Sequence, residues 1–313
     1  MKTPNYLIPY LHTKALLRLQ KISMNCGMNE TSFPRFVNLP YYSRYEHSFK
    51  CALLASHFTH DKAQSLACLF HDIATPVFAH TIDFLNGDHM KQESTEAYTR
   101  EIIAHDPDLM ALLDKDHLTL DQVDDYHLYP ICDNDSPRLS CDRLEYTLSN
   151  SVYYGFATKD TCQAIVDDLI IAKNEEEVDE LAFQNEDLAM TFGRMSLACS
   201  HVYTADEDRF GMEMLARLLK KAMDLQVLTF DDLYTTEDLV IAKLKQALPE
   251  DYQRFTSYHA LEDHATDGII VDAKKRYIDP FVNGHRLSQD PDYKQALDDY
   301  LHTDFNDYLK AKD

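Results

Sequence analysis

Glycine is scarce in this chain of 313 residues, at 7, and proline numbers only 11. Sandwiches, barrels and doubly wound sheets need more tight corners than that, so the shortage favours long helices. No run of 18 apolar residues occurs, which excludes a membrane-spanning helix. The opening residues Met1-Lys2-Thr3-Pro4-Asn5-Tyr6 lack a charged segment followed by an apolar stretch, so secretion is not expected. Basic residues are the minority, 30 Lys and Arg against 53 Asp and Glu, for a net charge of −23. A charge of that sign repels a phosphate backbone, so nucleic acid is not an expected partner. A local basic pocket for one small phosphorylated ligand is compatible with it. The seven cysteines, at 26, 51, 68, 132, 141, 162 and 199, form no CxxC pair. Several sit in apolar runs and read as reduced core residues, which places the protein in a reducing compartment, the cytoplasm. Phosphate-cradling glycine loops and a Gly-x-Ser-x-Gly elbow are missing.

What the chain does hold is 45% hydrophobic residues with 19 Tyr and 15 Phe, enough for a sizeable core. Helical periodicity runs through 12–24, 44–60, 62–72, 92–104, 138–151, 160–172, 178–201, 206–224 and 236–247. Ser136 with Pro137 signals one helix start. The acidic run Asn174–Glu180 reads as a solvated loop leading into a first helical turn. Gly268–Asp272 and Arg276–Pro280 carry the strand signals and predict a short hairpin or ribbon. The expected architecture is mainly α: a helical body over residues 1–225 and a smaller mixed region over 226–313.

Three segments carry chemistry. In Ser43-Arg44-Tyr45-Glu46-His47-Ser48, the positions 47, 51, 54 and 58 share one helical face, so an imidazole is buried in an apolar stripe, with Arg44 one turn before it. Buried polar groups need partners, because burying them unpaired costs several kcal/mol. Leu66–Phe70 is an apolar helix that delivers adjacent His71 and Asp72 just before Pro76. An imidazole beside a carboxylate suits a divalent transition metal, and the negative helix end favours a cation. On a third helix Asp142, Tyr146 and Asn150 stack at i, i+4 and i+8. Taken singly, each admits a structural explanation: a satisfied core histidine, a helix-capping pair, an exposed helix face.

Together, His47, His71-Asp72 and Asp142 resemble the H…HD…D metal site of the HD-domain phosphohydrolase superfamily. Arg44-Tyr45-Glu46-His47-Ser48, Asp142-Arg143-Leu144-Glu145-Tyr146, Tyr154-Gly155, Leu16-Leu17-Arg18-Leu19 and Lys275-Arg276-Tyr277-Ile278-Asp279-Pro280 are similar to the branch holding deoxynucleoside triphosphate triphosphohydrolases and their bacterial relatives. The likeness covers residues 12–160 well. It implies an HD-domain helical bundle in which His47, His71, Asp72 and Asp142 hold one divalent metal: iron, manganese, magnesium, nickel or zinc. Metal-activated water would attack phosphorus while Arg44 grips a phosphate. His80 would face the substrate and Tyr146 would lie against a nucleotide. It also implies a homo-oligomer.

The chain departs from the pattern HD-x-G-H-G-P-F-S-H at His71-Asp72-Ile73-Ala74-Thr75-Pro76-Val77-Phe78-Ala79-His80. Thr75 stands where the family has a catalytic histidine. Gln92-Glu93 stands for a His-Glu pair, with His89 three residues earlier, and Asn150 replaces an acid that contacts the sugar. Thr75 and Gln92 can hydrogen-bond a phosphate but cannot shuttle a proton as imidazole does. His80 or His89 would then supply the acid for hydrolysis of a nucleotide or other small phosphate ester. The alternative is a degenerate HD protein that binds nucleotide or metal as a sensor or scaffold. Lys274-Lys275-Arg276, the one compact basic run, reads as a solvated strand end, a subunit contact or a second anion site.

Overall fold

The structure, a computed structural model, describes residues 1–85, 87 and 98–312, so His89 and Gln92 lie outside the described residues. Thirteen α-helices among these residues carry the fold. In chain order they are α1 (Lys14–Arg18), α2 (Arg44–Thr59), α3 (Lys62–Phe70), α4 (Thr81–Leu85), α5 (Thr99–His105), α6 (Pro107–Lys115) and α7 (Cys141–Tyr153). Then follow α8 (Lys159–Asp168), α9 (Glu186–Tyr203), α10 (Asp206–Asp224), α11 (Glu237–Ala247), α12 (Pro249–Ser257) and α13 (Pro291–Leu301). The mainly α expectation holds. None of the described helices is long and apolar enough to cross a membrane.

Local signals explain the helices that matter for the site. At the start of α2 the Glu46 N–H donates to Ser43 Oγ, and the Ser43 N–H donates to Glu46 Oε2, a reciprocal box that satisfies two end donors. Asp61 caps α3 through the Gln64 N–H, and Ser140 caps α7 through the Arg143 N–H. The start signal expected at Ser136-Pro137 is therefore displaced by four residues: the capping oxygen is that of Ser140. Helices α2 and α3 are apolar on more than one face, which marks them as central. Ala52, Leu66, Leu69 and Phe70 enter one core with Phe210, Leu219 and Val240. Cys51, Leu54, Ala67 and Cys68 enter a second with Leu144, Phe192 and Tyr293. Residues beyond 225 contribute to both cores, among them Val271 and Leu309 to the first and Ile278 and Tyr300 to the second. All seven cysteines are free thiols, six of them buried.

The strands fall elsewhere than expected. Gly268–Asp272 and Arg276–Pro280 do not pair with each other; the first makes a single bridge from Ile269 to Leu309. A four-stranded sheet is built instead from β1 (Ile170–Lys173), β2 (Asp179–Phe183), β3 (Phe281–Val282) and β4 (His285–Arg286), in that order. β1 and β2 pair antiparallel, with Ile170 opposite Ala182, and β2 and β3 pair parallel, with Ala182 opposite Phe281. The acidic run Asn174–Glu180 is the β1–β2 connection and the start of β2, not a helix start. Its last member is fully buried: Glu180 accepts from both terminal nitrogens of Arg286, at 2.7 and 2.8 Å, and from the Leu139 N–H at 3.0 Å.

Candidate metal centre and its cleft

Three helix ends meet at the site. α2 supplies His47 in its first turn, the end of α3 runs directly into His71 and Asp72, and α7 supplies Asp142 in its first turn. His47 Nε2 stands 3.1 Å from His71 Nε2 and 2.9 Å from Asp142 Oδ1. His71 Nε2 lies 3.6 Å from Asp142 Oδ1 and 3.6 Å from Asp72 Oδ2, and His47 Nε2 is 3.8 Å from Asp72 Oδ2. Ligand atoms about 2.1 Å from one ion sit about 3.0–3.4 Å apart in octahedral or tetrahedral arrangement, so this spacing fits a shared cation.

The far sides of both rings support that fit. His71 Nδ1 faces the Cys68 carbonyl oxygen at 2.7 Å, which can only accept, so Nδ1 carries the proton and Nε2 offers its lone pair. His47 Nδ1 stands 2.5 Å from Glu145 Oε2 and donates to it in the same way. Glu145 is in turn held by Tyr42 Oη–H on Oε2, by Ser149 Oγ–H on Oε1 at 2.5 Å, and by Lys50 at 3.6 Å. A carboxylate behind a ligating imidazole fixes its tautomer and raises its basicity, as in metal sites generally. Cys51 Sγ also lies within 4.8 Å of the ligand atoms of His47, His71 and Asp142. Burial pushes its thiol well above the usual range, and Sγ faces the Cys141 carbonyl at 4.0 Å. Asp72 is thus the better-charged donor, while His, Cys, His and Asp together remain a cluster able to hold a metal.

Charge balance follows from the packing. Burial would push Asp72 up, but Arg44 and then His71 and His47 outweigh it and hold its carboxyl well below the ordinary range. Asp142 is lowered too, burial being outweighed by hydrogen bonds from His47 and His71. For His47 burial disfavours the charged ring, and Cys51, Asp142 and Glu145 overcome this to raise its proton affinity. Proton and cation compete for the same Nε2 atoms, so metal affinity falls as pH falls.

The centre opens into a cleft that is open to solvent on one side. His47, Asp142 and Arg44 line it near the centre. Tyr146, Tyr154, Tyr203, Phe36 and Phe84 give it aromatic walls. Lys274 and Arg276 add cationic groups from the C-terminal stretch.

Of the residues singled out from sequence, His47, His71, Asp72 and Asp142 converge. Arg44 is buried and points Nη1 at both oxygens of Asp72, 3.1 and 3.0 Å away, while its Nε has no hydrogen-bond partner. Thr75 is fully buried, off the cleft wall, and donates from Oγ1 to Asp72 Oδ1 at 2.7 Å. His80 lines the cleft with Nδ1 3.0 Å from Asp83 Oδ2, and burial lowers its pKa below the ordinary histidine value. Tyr146 and Asn150 line the cleft, and Asn150 Nδ2 donates to Tyr203 Oη at 2.6 Å. The basic run divides, as alternation along an extended chain requires. Lys274 and Arg276 enter the cleft, while Lys275 Nζ donates to the carbonyls of Leu301 and Thr303. Glu145 and Arg18 carry roles that the sequence did not reveal. Arg18 Nη2 donates to the carbonyls of Ile73 and Thr75 at 2.9 and 2.8 Å and so braces the turn behind Asp72.

No family model matches the chain. It is 24% identical over 295 residues, 88% of its length and 80% of the relative's, to a Cordyceps militaris protein named metal-dependent phosphohydrolase cns2. It is 25% identical over 247 residues, 77% of its length and 74% of the relative's, to the uncharacterized protein YdhJ of Bacillus subtilis. The first likeness and the His, Cys, His, Asp cluster fit a metal-dependent hydrolase.

Proposed function

We propose that this protein is an HD-type metal-dependent phosphohydrolase acting on a nucleotide or other small phosphate ester. One observation carries the reading. His71 Nε2 and oxygens of Asp72 and Asp142 all lie within 3.8 Å of His47 Nε2, beside a cleft that also holds Arg44, Lys274 and Arg276. A divalent cation held by His47, His71, Asp72 and Asp142 would supply Lewis acidity toward water and toward a phosphoryl oxygen.

The chain's own groups do the rest. Arg44 and Thr75 keep Asp72 ionised and oriented. Lys274 and Arg276 bring positive charge to a phosphate that the molecule's net −23 would otherwise repel. Tyr146 offers a ring face to an aromatic organic group. His80, with Nδ1–H on Asp83, stays neutral at pH 7 and offers Nε2 as the proton carrier of the cleft. A second reading, a nucleotide or metal sensor, is favoured by Thr75, whose hydroxyl is committed to Asp72 and moves no proton.

The test is metal stoichiometry of the purified protein, with phosphate release from nucleotides and phosphomonoesters under each of iron, manganese, magnesium, nickel and zinc. Asp72→Ala is expected to empty the metal site and lower release by about 100-fold or more. Tight metal without release from any compound would select the sensor. Unchanged metal content in Asp72→Ala would sink the ligand assignment.

A further inference from the structure

One carboxyl in the cleft has no task in the scheme above. Asp208, in the first turn of α10, lines the same cavity as His47, Asp142 and Arg44, with Met212 one turn further along the helix. It makes no hydrogen bond or ion pair with any described residue. The charged groups around it are Arg35, Glu207 and Arg209, and both cations are engaged elsewhere. Arg35 pairs with Glu207 at 3.5 Å. Arg209 donates to Asp206 Oδ1 at 2.5 Å and to the carbonyls of Thr204 and Val271. Asp208 is only partly exposed and sits on the cleft wall, so its carboxyl can take a hydrogen-bond partner from a ligand in the cleft.

We infer that Asp208 selects the organic part of the substrate: its carboxyl hydrogen-bonds a hydroxyl or amino group that the phosphate ester carries. This rests on the phosphate-ester reading of the same cleft. An ionised carboxylate there would repel the substrate's phosphate. Burial, only partly opposed by Arg35, pushes Asp208 up to about 8, so at neutral pH it is mostly uncharged and both donates and accepts. The cleft then has two recognition elements of different chemistry. Lys274 and Arg276 take the anion, and Asp208 takes a polar hydrogen beside the aromatic walls. The substrate class is narrowed to phosphate esters of a hydroxyl- or amine-bearing organic group, such as a nucleoside, over esters of a bare aromatic ring.

The experiment compares kcat/KM for ribonucleoside monophosphates with that for phenyl phosphate, whose ring carries no hydrogen-bond donor, in the metal-loaded protein. The parent protein is expected to prefer the nucleotide. In Asp208→Ala that preference falls about tenfold, the worth of one hydrogen bond. Asp208→Asn, which keeps a donor and an acceptor in the same volume, recovers most of it. A preference in Asp208→Ala within twofold of the parent's overturns the inference. If the parent protein releases phosphate from none of these compounds, the hydrolase reading fails. Dissociation constants of the nucleoside monophosphates, parent against Asp208→Ala, then decide the role of Asp208 separately: weakening of about tenfold supports it, and equality removes it.

Discussion

His47 is useful to a metal because of what stands behind it. Its Nδ1–H is committed to Glu145, so the other nitrogen faces the site with a lone pair, and Glu145 is itself pinned by Tyr42 and Ser149. Glu145→Gln keeps an acceptor in place but removes the negative charge that raises the ring's basicity. Metal affinity is expected to weaken about 10- to 100-fold, read in a competition titration against a chelator of known affinity. Undiminished affinity would mean that packing alone orients the ring. Glu145 sits in the stretch that was conspicuous in the sequence, three residues after Asp142. Its function was not legible there, because its partner is 98 positions away on another helix.

At the scale of elements, the helices that build the site were readable, while α4, α6, α12, α13 and the strands were not. α2, α3, α7 and α10 each announce themselves through apolar spacing and a capping residue or acidic first turn, both local properties. β2 contains Leu181-Ala182-Phe183, a continuous buried run that periodicity cannot tell from a helix. It is a strand because it pairs with Ile170–Lys173 on one side and with Phe281-Val282, a hundred residues away, on the other, and strand identity of that kind is set by neighbours more than by propensity. The sheet is stapled by Arg286 on Glu180. Arg286→Met is expected to cost about 3–5 kcal/mol, because it strands a fully buried carboxylate. Urea denaturation checks this; a loss under about 1 kcal/mol would show that the pair is merely surface-like.

Across the whole molecule, acids with opposite shifts shape the response to pH. Asp72 and Asp142 lie below their ordinary range, so they stabilise the fold above about pH 4 and lose that effect on acidification. Glu237, on α11, has the opposite sign. Burial raises it from 4.5 to about 7, against the Ser23 and Phe78 N–H groups that donate to its Oε1. The fold therefore holds a proton that the unfolded chain has released. That contribution is complete below about pH 4.5 and is lost as pH rises through about 7. Glu237→Gln keeps an acceptor for both N–H groups without the charge, and should flatten the fall in melting temperature between those two values. A parent protein whose melting temperature does not fall over that window would refute the assignment.

Composition and spacing already pointed to a helical chain with reduced cysteines, because those properties rest on neighbours within a few turns, while the set His47, His71, Asp72 and Asp142 was legible only as a resemblance to a family pattern. Folding was needed to turn Arg44 onto Asp72, to bury Thr75 beneath it, and to send Lys274 and Arg276 into the same cleft as His47 and Asp142 while Lys275 caps the end of α13. Those outcomes join segments up to more than two hundred residues apart. Such contacts are chosen by what the packed interior leaves unpaired, and no local pattern of residue types encodes that.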